Sequence, residues 1–290
     1  MHEIEYLRPA TVREAVDALA RGDARLLAGG TDLIAQLREG RRSVRRIVDL
    51  KHIPALTHLE QSSEGGWRIG AAASVGQLAL HVDFAREHRA LLDSARLIGS
   101  LQIQNRATLG GNLCNAAPSA DAVPLLISHG ARVEIAGASG TRTASLATIP
   151  AGPGRASLEP GEMVTAILLP AKTPRSAAKY LRFTPRREMD IAVAGSGVAI
   201  ALDGHGAIAS ARITLASVAP VPLQATLAET LLVGERPSIA LFEAAGRAAA
   251  REAKPISDTR GSADYRRELV AVLTRRALEA CAAELGCKVT

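Results

Sequence analysis

Aromatic residues are almost missing from this chain: three Phe, three Tyr and one Trp make up 2% of 290 residues. So few rings leave little to stack on bases, and the core must be aliphatic and alanine-rich. Cysteine is nearly as scarce. Cys114, Cys281 and Cys287 are too few and too odd in number for a disulfide framework, which fits a reducing compartment. No CxxC pair occurs, which argues against an iron–sulfur cluster bound by this chain. The histidines are dispersed without HxH or HExxH spacing, so no metal site is expected. No uncharged apolar run approaches the roughly 20 residues that span a bilayer, and Met1 to Leu7 holds no apolar leader segment. The expectation is a cytoplasmic protein without membrane insertion.

Hydrophobic residues are 47% of the chain, enough for a globular protein of two or three compact units. Lys and Arg number 35 against 29 acidic residues, a formal charge of +6. The densest basic run holds Arg38, Arg41, Arg42, Arg45 and Arg46 with no interleaved aromatic. That pattern reads as a solvated face or a dock for an acidic partner subunit, not as a nucleic-acid surface.

What the chain does have is a pair of glycine loops, Leu27-Ala28-Gly29-Gly30-Thr31-Asp32-Leu33 and Thr108-Leu109-Gly110-Gly111-Asn112. Glycine lets bare backbone approach phosphate oxygens, and successive N–H groups form a concave anion site that needs no arginine or lysine. One glycine pair would be weak evidence, since tight turns use the same residues. Two matched loops can hold one diphosphate, and the ligand they suggest is a nucleotide cofactor. Thr108 and Asn112 add short donors at the loop edges. Asp121, an anion, suits sugar or ribityl hydroxyls rather than the diphosphate. Cys114 follows the second loop with no neighbouring His or acid to activate it, and reads as a packing residue. Gly204, Gly206 and Ala209 satisfy GxGxxA, but alternating segments flank them and no helix opens after them, so they mark a hairpin turn.

Along the chain, Thr11 is placed as N-cap of a helix to Ala20, with Glu14 completing a capping box. Arg25 to Ala28 reads as a buried strand that delivers the first glycine loop, Asp32 as the cap of a helix to Arg38, and Arg46 to Leu50 as another strand. Further on, the pattern gives a strand from Trp67 to Ala71, a helix from Ser74, and a longer amphipathic helix within Phe84 to Gly99. A helix from Pro118 to Ser128 with Gly130 as C-cap follows, then strands from Ala131 to Ile135 and from Val164 to Leu169. Lys172 to Ser176 is a linker. Beyond it come strands from Ala178 to Arg182, Ile191 to Leu202 and Ile208 to Ser217, then helices from Ser238 onward. In the last helix Leu269, Leu273, Ala277 and Cys281 form a stripe suited to packing on the small sheet. Asp258 and Arg260 read as a capping and ion-pair network at its start, with Ser262 as N-cap.

These residues resemble the flavin-binding medium subunit of the molybdenum hydroxylases, the family of carbon monoxide dehydrogenase and xanthine dehydrogenase. The two glycine loops are similar to that family's two FAD loops. Gly161-Glu162-Met163-Val164-Thr165 resembles the segment that approaches the flavin ring, and Arg186-Arg187-Glu188-Met189-Asp190-Ile191-Ala192 the start of the C-terminal domain. Pro255 to Arg266, including Asp258-Thr259-Arg260-Gly261-Ser262, resembles that domain's last signature.

The resemblance implies an α+β fold. Residues 1–174 would form a two-lobed FAD-binding domain of the PCMH type, with lobes of about 1–51 and 52–172. Residues 178–287 would form a smaller α+β C-terminal domain with a three-stranded antiparallel sheet and helices. It carries cofactor roles to Leu27, Ala28, Gly29, Gly30, Thr31, Asp32, Leu33, Thr108, Gly110, Gly111, Asn112 and Asp121. Ile98, Gly99 and Val164 fall where the family approaches the isoalloxazine. Arg182 stands where many relatives place a lysine near the flavin; a surface charge on an edge strand is the equally weighted alternative. Ile191 replaces an aromatic residue found beside the flavin in some relatives.

The implied function is an FAD-binding electron-transfer subunit. A large partner holds the molybdenum cofactor, a small partner carries [2Fe-2S] clusters, and electrons leave through FAD to an external acceptor, in a dimer of heterotrimers. Two alternatives stand beside it: a self-contained FAD-dependent oxidoreductase, and a non-catalytic scaffold that lost the cofactor.

Overall fold

The computed structural model describes residues 3–186 and 189–289. By packing, the chain falls into two compact units, one of Met1–Ala85, Ser100–Ala116 and Gly130–Ala171, the other of Arg86–Gly99, Ala117–His129 and Lys172–Thr290.

In the first unit, three strands run parallel in the spatial order Glu5–Leu7, Arg46–Asp49, Ala24–Leu27. Parallel strands require a crossover, and the Val12–Ala20 helix supplies the first. Thr11 caps it by accepting the Glu14 N–H at 3.2 Å, a contact worth about 1 kcal/mol. The Glu14 carboxylate returns to the Ala10 N–H at 2.9 Å rather than to Thr11, so the expected capping box closes one residue early. The helix buries Ala15, Val16 and Ala18 in a cluster with Val48, Leu50 and Ile53.

An antiparallel sheet of five strands follows in the same unit, in the order Leu59–Gln61, Trp67–Gly70, Met163–Leu169, Arg132–Gly137, Gly140–Ser145. Ser74 caps the Val75–Leu80 helix with a complete capping box, its Oγ taking the Gln77 N–H while Gln77 Oε1 takes the Ser74 N–H.

The single long helix expected within 84–99 is two short ones, Val82–Glu87 and Arg89–Ala95. They part at His88, whose backbone leaves the helical region at φ −112° and ψ 40° while its ring is buried. The helix expected from Pro118 starts later, as Val123–Ser128, with Pro124 in its first turn and Gly130 at φ +71° beyond the His129 cap. Ahead of it the Pro118 carbonyl accepts the Ser217 N–H at 2.8 Å, the Ala117 carbonyl accepts the Ala120 N–H at 3.0 Å, and Asp121 turns to Tyr180 and Arg182.

In the second unit the antiparallel sheet has four strands, not three: Ser176–Phe183, Ala194–Leu202, Ile208–Ala216 and the two-residue Leu223–Gln224. The Ala194–Leu202 strand is buried on both faces, which explains why its sequence does not alternate. On one face Val198, Ile200 and Leu202 pack with Phe242, Ala245, Leu273, Ala277 and Cys281 of the Ile239–Glu252 and Ala263–Glu284 helices. Full burial of a ring such as Phe242 contributes about 1.5–3 kcal/mol. On the other face Gly197 meets the Val123–Ser128 helix; a Cβ there would lie 2.9 Å from Pro124 Cβ. Ser128 Oγ then donates to the Gly197 carbonyl at 3.0 Å.

At the head of the last helix Ser262 is the N-cap, accepting the Tyr265 N–H. The ion pair there corrects the expectation. Asp258 takes only the backbone N–H of Arg260 and pairs with Arg266, at 2.7 Å. Arg266 is buried, and its guanidinium also serves the Val193 and Ser217 carbonyls, which draws it inward while Arg260 stays exposed.

Candidate functional site

The Ala24–Leu27 strand delivers Ala28-Gly29-Gly30 at the carboxyl edge of the parallel sheet, and the Leu33–Arg38 helix opens directly after the loop. Gly30 sits at φ +79°, a conformation that favours glycine. A Cβ on Gly29 would fall 2.1 Å from the Arg106 carbonyl oxygen, so the first loop is seated on the turn that leads into the second. Asp32 occupies the N-cap position, but its side chain makes no capping hydrogen bond.

The second loop is the start of the Leu109–Asn115 helix. Thr108 Oγ1 accepts the Gly111 N–H at 2.9 Å, and the Thr108 carbonyl accepts the Asn112 N–H at 2.9 Å. Behind it, a Cβ on Gly110 would lie 2.5 Å from the Ala71 carbonyl oxygen. The Ala71 N–H donates to the Thr165 carbonyl at 2.9 Å, which ties this loop to the strand that carries buried Val164. Leu27 through Leu33, Thr108 through Asn112 and Val164 thus belong to one packed unit.

The backbone donors of these loops are largely unspent. The N–H groups of Gly29, Gly30, Thr31 and Asp32, and of Gly110, have no acceptor among the described residues. Asn112 Oδ1 is buried with no partner. Polar groups in such places are nearly always satisfied, so the set calls for an acceptor-rich ligand with hydroxyl donors beside it. Cys114, next to the loop, has its thiol pushed up to about 12 by burial and stays protonated, as a packing residue should.

In the second unit Asp121 is 7% exposed. Tyr180 donates to its Oδ1 at 3.1 Å, and Arg182 Nη1 pairs with its Oδ2 at 2.5 Å. Burial pushes the Asp121 carboxyl up to about 6, against the opposing pull of Arg182 and Tyr180. Arg182 does lie on an edge strand, but its side chain is buried and paired, which removes the surface-charge reading. Ile98 and Gly99 lie in the same unit, Gly99 at φ +58° after the Arg89–Ala95 helix. Ile191 is 46% exposed, and Arg187 and Glu188 of its motif lie outside the described residues, as do Met1 and His2.

Most of the basic run is answered within the chain. Arg41 pairs with Glu39, Arg42 with the Gln36 amide oxygen at 2.6 Å, Arg45 with Asp23 at 3.8 Å and Arg46 with Glu5 at 2.6 Å. Sequence reasoning missed Tyr6, Asp49 and Lys51, which meet beside the first loop. A buried Asp at the end of a parallel strand was the available signal.

The profile described as the FAD binding domain in molybdopterin dehydrogenase matches residues 2–172, and that of the CO dehydrogenase flavoprotein C-terminal domain matches residues 179–281. The chain belongs to the FAD-binding subunits of the molybdopterin dehydrogenases. It is 31% identical to the putative xanthine dehydrogenase FAD-binding subunit of Escherichia coli (strain K12), over 98% of this chain and 97% of that one. It is 32% identical to the carbon monoxide dehydrogenase medium chain of Afipia carboxidovorans, over 95% of each. The solved carbon monoxide dehydrogenase from Hydrogenophaga pseudoflava superposes with a TM-score of 0.93 at 30% identity, covering 99% of both chains. This flavoprotein subunit is therefore an oxidoreductase component of the carbon monoxide and xanthine dehydrogenase type, with FAD as its cofactor. The residues present fit that cofactor: unspent N–H groups suit the diphosphate oxygens, and the orphaned Asn112 carbonyl suits a hydroxyl. Among the described residues no group of three or more His, Cys, Asp or Glu could hold a metal, and no helix is long and apolar enough to cross a membrane.

Proposed function

We propose that this flavoprotein subunit relays electrons. They would arrive from [2Fe-2S] clusters on a small partner, fed by a large partner that holds the molybdenum cofactor, and leave through FAD to an external acceptor. The observation that carries the reading is the pair of abutting glycine loops with unspent N–H groups. Bound flavin would supply one- and two-electron chemistry, which suits a relay between a metal centre and a diffusible acceptor.

The chain's own residues then bind and orient. Leu27, Ala28, Gly29, Gly30, Thr31, Asp32 and Leu33, with Thr108, Gly110, Gly111 and Asn112, hold the nucleotide. Asp121 meets its hydroxyls, Ile98, Gly99 and Val164 border the ring, and Arg182 supplies a fixed cation. Residues 1–174 form the FAD-binding domain and 178–287 the C-terminal domain, in keeping with the two matched profiles. Relatives named as medium chains and FAD-binding subunits support assembly with other chains; the arrangement proposed for that assembly is a dimer of heterotrimers. Three free cysteines suit a cytoplasmic setting.

The test is a visible spectrum. The full chain purified alone should be yellow and stay oxidised with any organic or gaseous substrate, and bleach once the two partner subunits and their substrate are added. Bleaching by a small substrate without partners would overturn the relay.

A further inference from the structure

We propose that Lys51 is a positioning residue that sets the aim of the first glycine loop and so governs how tightly the FAD diphosphate is held. The inference rests on the FAD reading of that loop.

The three strands of the parallel sheet bring together Tyr6, the middle residue of Glu5–Leu7, Asp49 at the end of Arg46–Asp49, and Ala28 directly after Ala24–Leu27. Asp49 is 1% exposed. Its Oδ2 accepts the Tyr6 hydroxyl, and its Oδ1 takes both the Lys51 ammonium and the Lys51 N–H, the latter at 3.1 Å. Burial pushes the Asp49 carboxyl up, yet Lys51 and Tyr6 together hold it below the usual carboxylate value, so it remains an anion at neutral pH. Lys51 is therefore not a swinging surface cation.

From that fixed place Lys51 Nζ donates to the Ala28 carbonyl at 3.3 Å. In a trans peptide the carbonyl and the next N–H point to opposite sides. Drawing the Ala28 carbonyl toward Asp49 thus turns the Gly29 N–H away from the sheet edge, and that N–H has no acceptor among the described residues. Gly29 is separately seated against the Arg106 carbonyl, so one peptide is held at two points. Tyr6, Asp49 and Lys51 form a chain of contacts that ends on a phosphate-binding donor.

A lysine beside such a loop could instead act as a bare charge on the phosphate, and Asp49→Asn separates the two roles. It leaves the ammonium in place but frees it to swing. Aiming predicts weaker binding from this change; direct charge predicts equal or tighter binding.

The experiment is fluorescence titration of the flavin-free full chain with FAD, and with ADP as competitor, for wild type, Lys51→Met, Lys51→Arg, Asp49→Asn and the mild Tyr6→Phe. Lys51→Met should weaken FAD about tenfold or more, the scale of a lost charged hydrogen bond, with a matching loss for ADP. Lys51→Arg should recover most of it, Asp49→Asn should behave like Lys51→Met, and Tyr6→Phe should lose about two- to threefold. Thermal unfolding of the flavin-free forms controls for collapse, and if Lys51→Met does not fold, the Tyr6→Phe and Lys51→Arg titrations decide. Unchanged FAD affinity in Lys51→Met, or in both Asp49→Asn and Tyr6→Phe, would overturn the proposal. A wild-type chain that binds neither FAD nor ADP would instead remove the reading of the loop itself.

Discussion

Asp121 and Arg182 form a buried ion pair, with Oδ2 and Nη1 2.5 Å apart and Tyr180 donating to the other carboxylate oxygen at 3.1 Å. The pair sits on two segments far apart in sequence, the turn before the Val123–Ser128 helix and the edge strand Ser176–Phe183. Burial raises the Asp121 carboxyl to about 6, above the value near 3.8 of an unfolded chain. Between those two values the folded form holds a proton that the unfolded form has released. The stabilisation from Asp121 is then full below about pH 4 and lost as pH rises through about 6. Thermal unfolding of wild type and Asp121→Asn across pH 4.5 to 7.5 tests this. The gap in Tm, wild type minus variant, should shrink as pH rises; a gap that widens would mean that Arg182, not burial, controls the carboxyl.

Gly29 has no room for a side chain, because its Cβ would fall 2.1 Å from the Arg106 carbonyl oxygen, a backbone atom that cannot rotate away. Gly29→Ala must push the two loops apart. The expected cost is about 1–3 kcal/mol or more of stability, together with loss of bound FAD. Gly204→Ala is the control: a Cβ there meets nothing within 4 Å, and the change should stay within about 0.5 kcal/mol. Denaturant melts and flavin absorbance on both variants give the comparison. Equal, small effects would show that the loops are free to separate.

The parts of the fold that the sequence announced are those with short-range causes. Ser74, Ser238 and Ser262 each cap a helix through a hydroxyl that accepts the N–H three residues on. Asp203 makes its hairpin turn by accepting the His205 and Ala207 N–H groups. The glycine loops were visible because strand, loop and helix follow one another directly. What escaped depends on partners distant in the chain. Nothing local says that Asp258 will choose Arg266 over Arg260, or that Tyr6, Asp49 and Lys51 will meet. The Thr226–Leu232 helix and the Leu223–Gln224 strand are too short to show a period. The break at His88 follows from a buried ring, which an amphipathic pattern cannot foretell.

Gly111 lies one turn into the second loop's helix, with its N–H bonded to Thr108 Oγ1 and its Cβ position 3.0 Å from that same oxygen. A branched side chain there would press directly on the capping hydroxyl. Gly111→Val should therefore displace Thr108, forfeit a cap worth about 1 kcal/mol and lower FAD occupancy by blocking approach of the diphosphate. Thr108→Ala removes the cap together with a short donor at the loop edge but adds no bulk, so a loss of occupancy in Gly111→Val beyond that of Thr108→Ala reports the steric block. The flavin-to-protein absorbance ratio is the measurement, and full yellow colour in Gly111→Val would count against the second loop as a phosphate site.

His88 and His129 meet edge to face in the second unit, ring centroids 5.9 Å apart. Burial lowers both imidazoles to about 4, so at neutral pH each is uncharged. Here the sign is opposite to that at Asp121. The unfolded chain, with imidazoles near 6.5, takes up protons that the folded chain refuses, and stability is full above about 6.5 and lost as pH falls toward 4. His129→Phe removes one of these proton sites and keeps a ring of similar size. The Tm gap, wild type minus His129→Phe, should fall as pH drops from 7 to 4.5, whereas the gap for Asp121→Asn should rise over the same range. If both gaps moved together, a general acid response of the unit would be acting rather than these two buried sites. Opposite slopes from residues in one packed unit would tie each proton to its own surroundings.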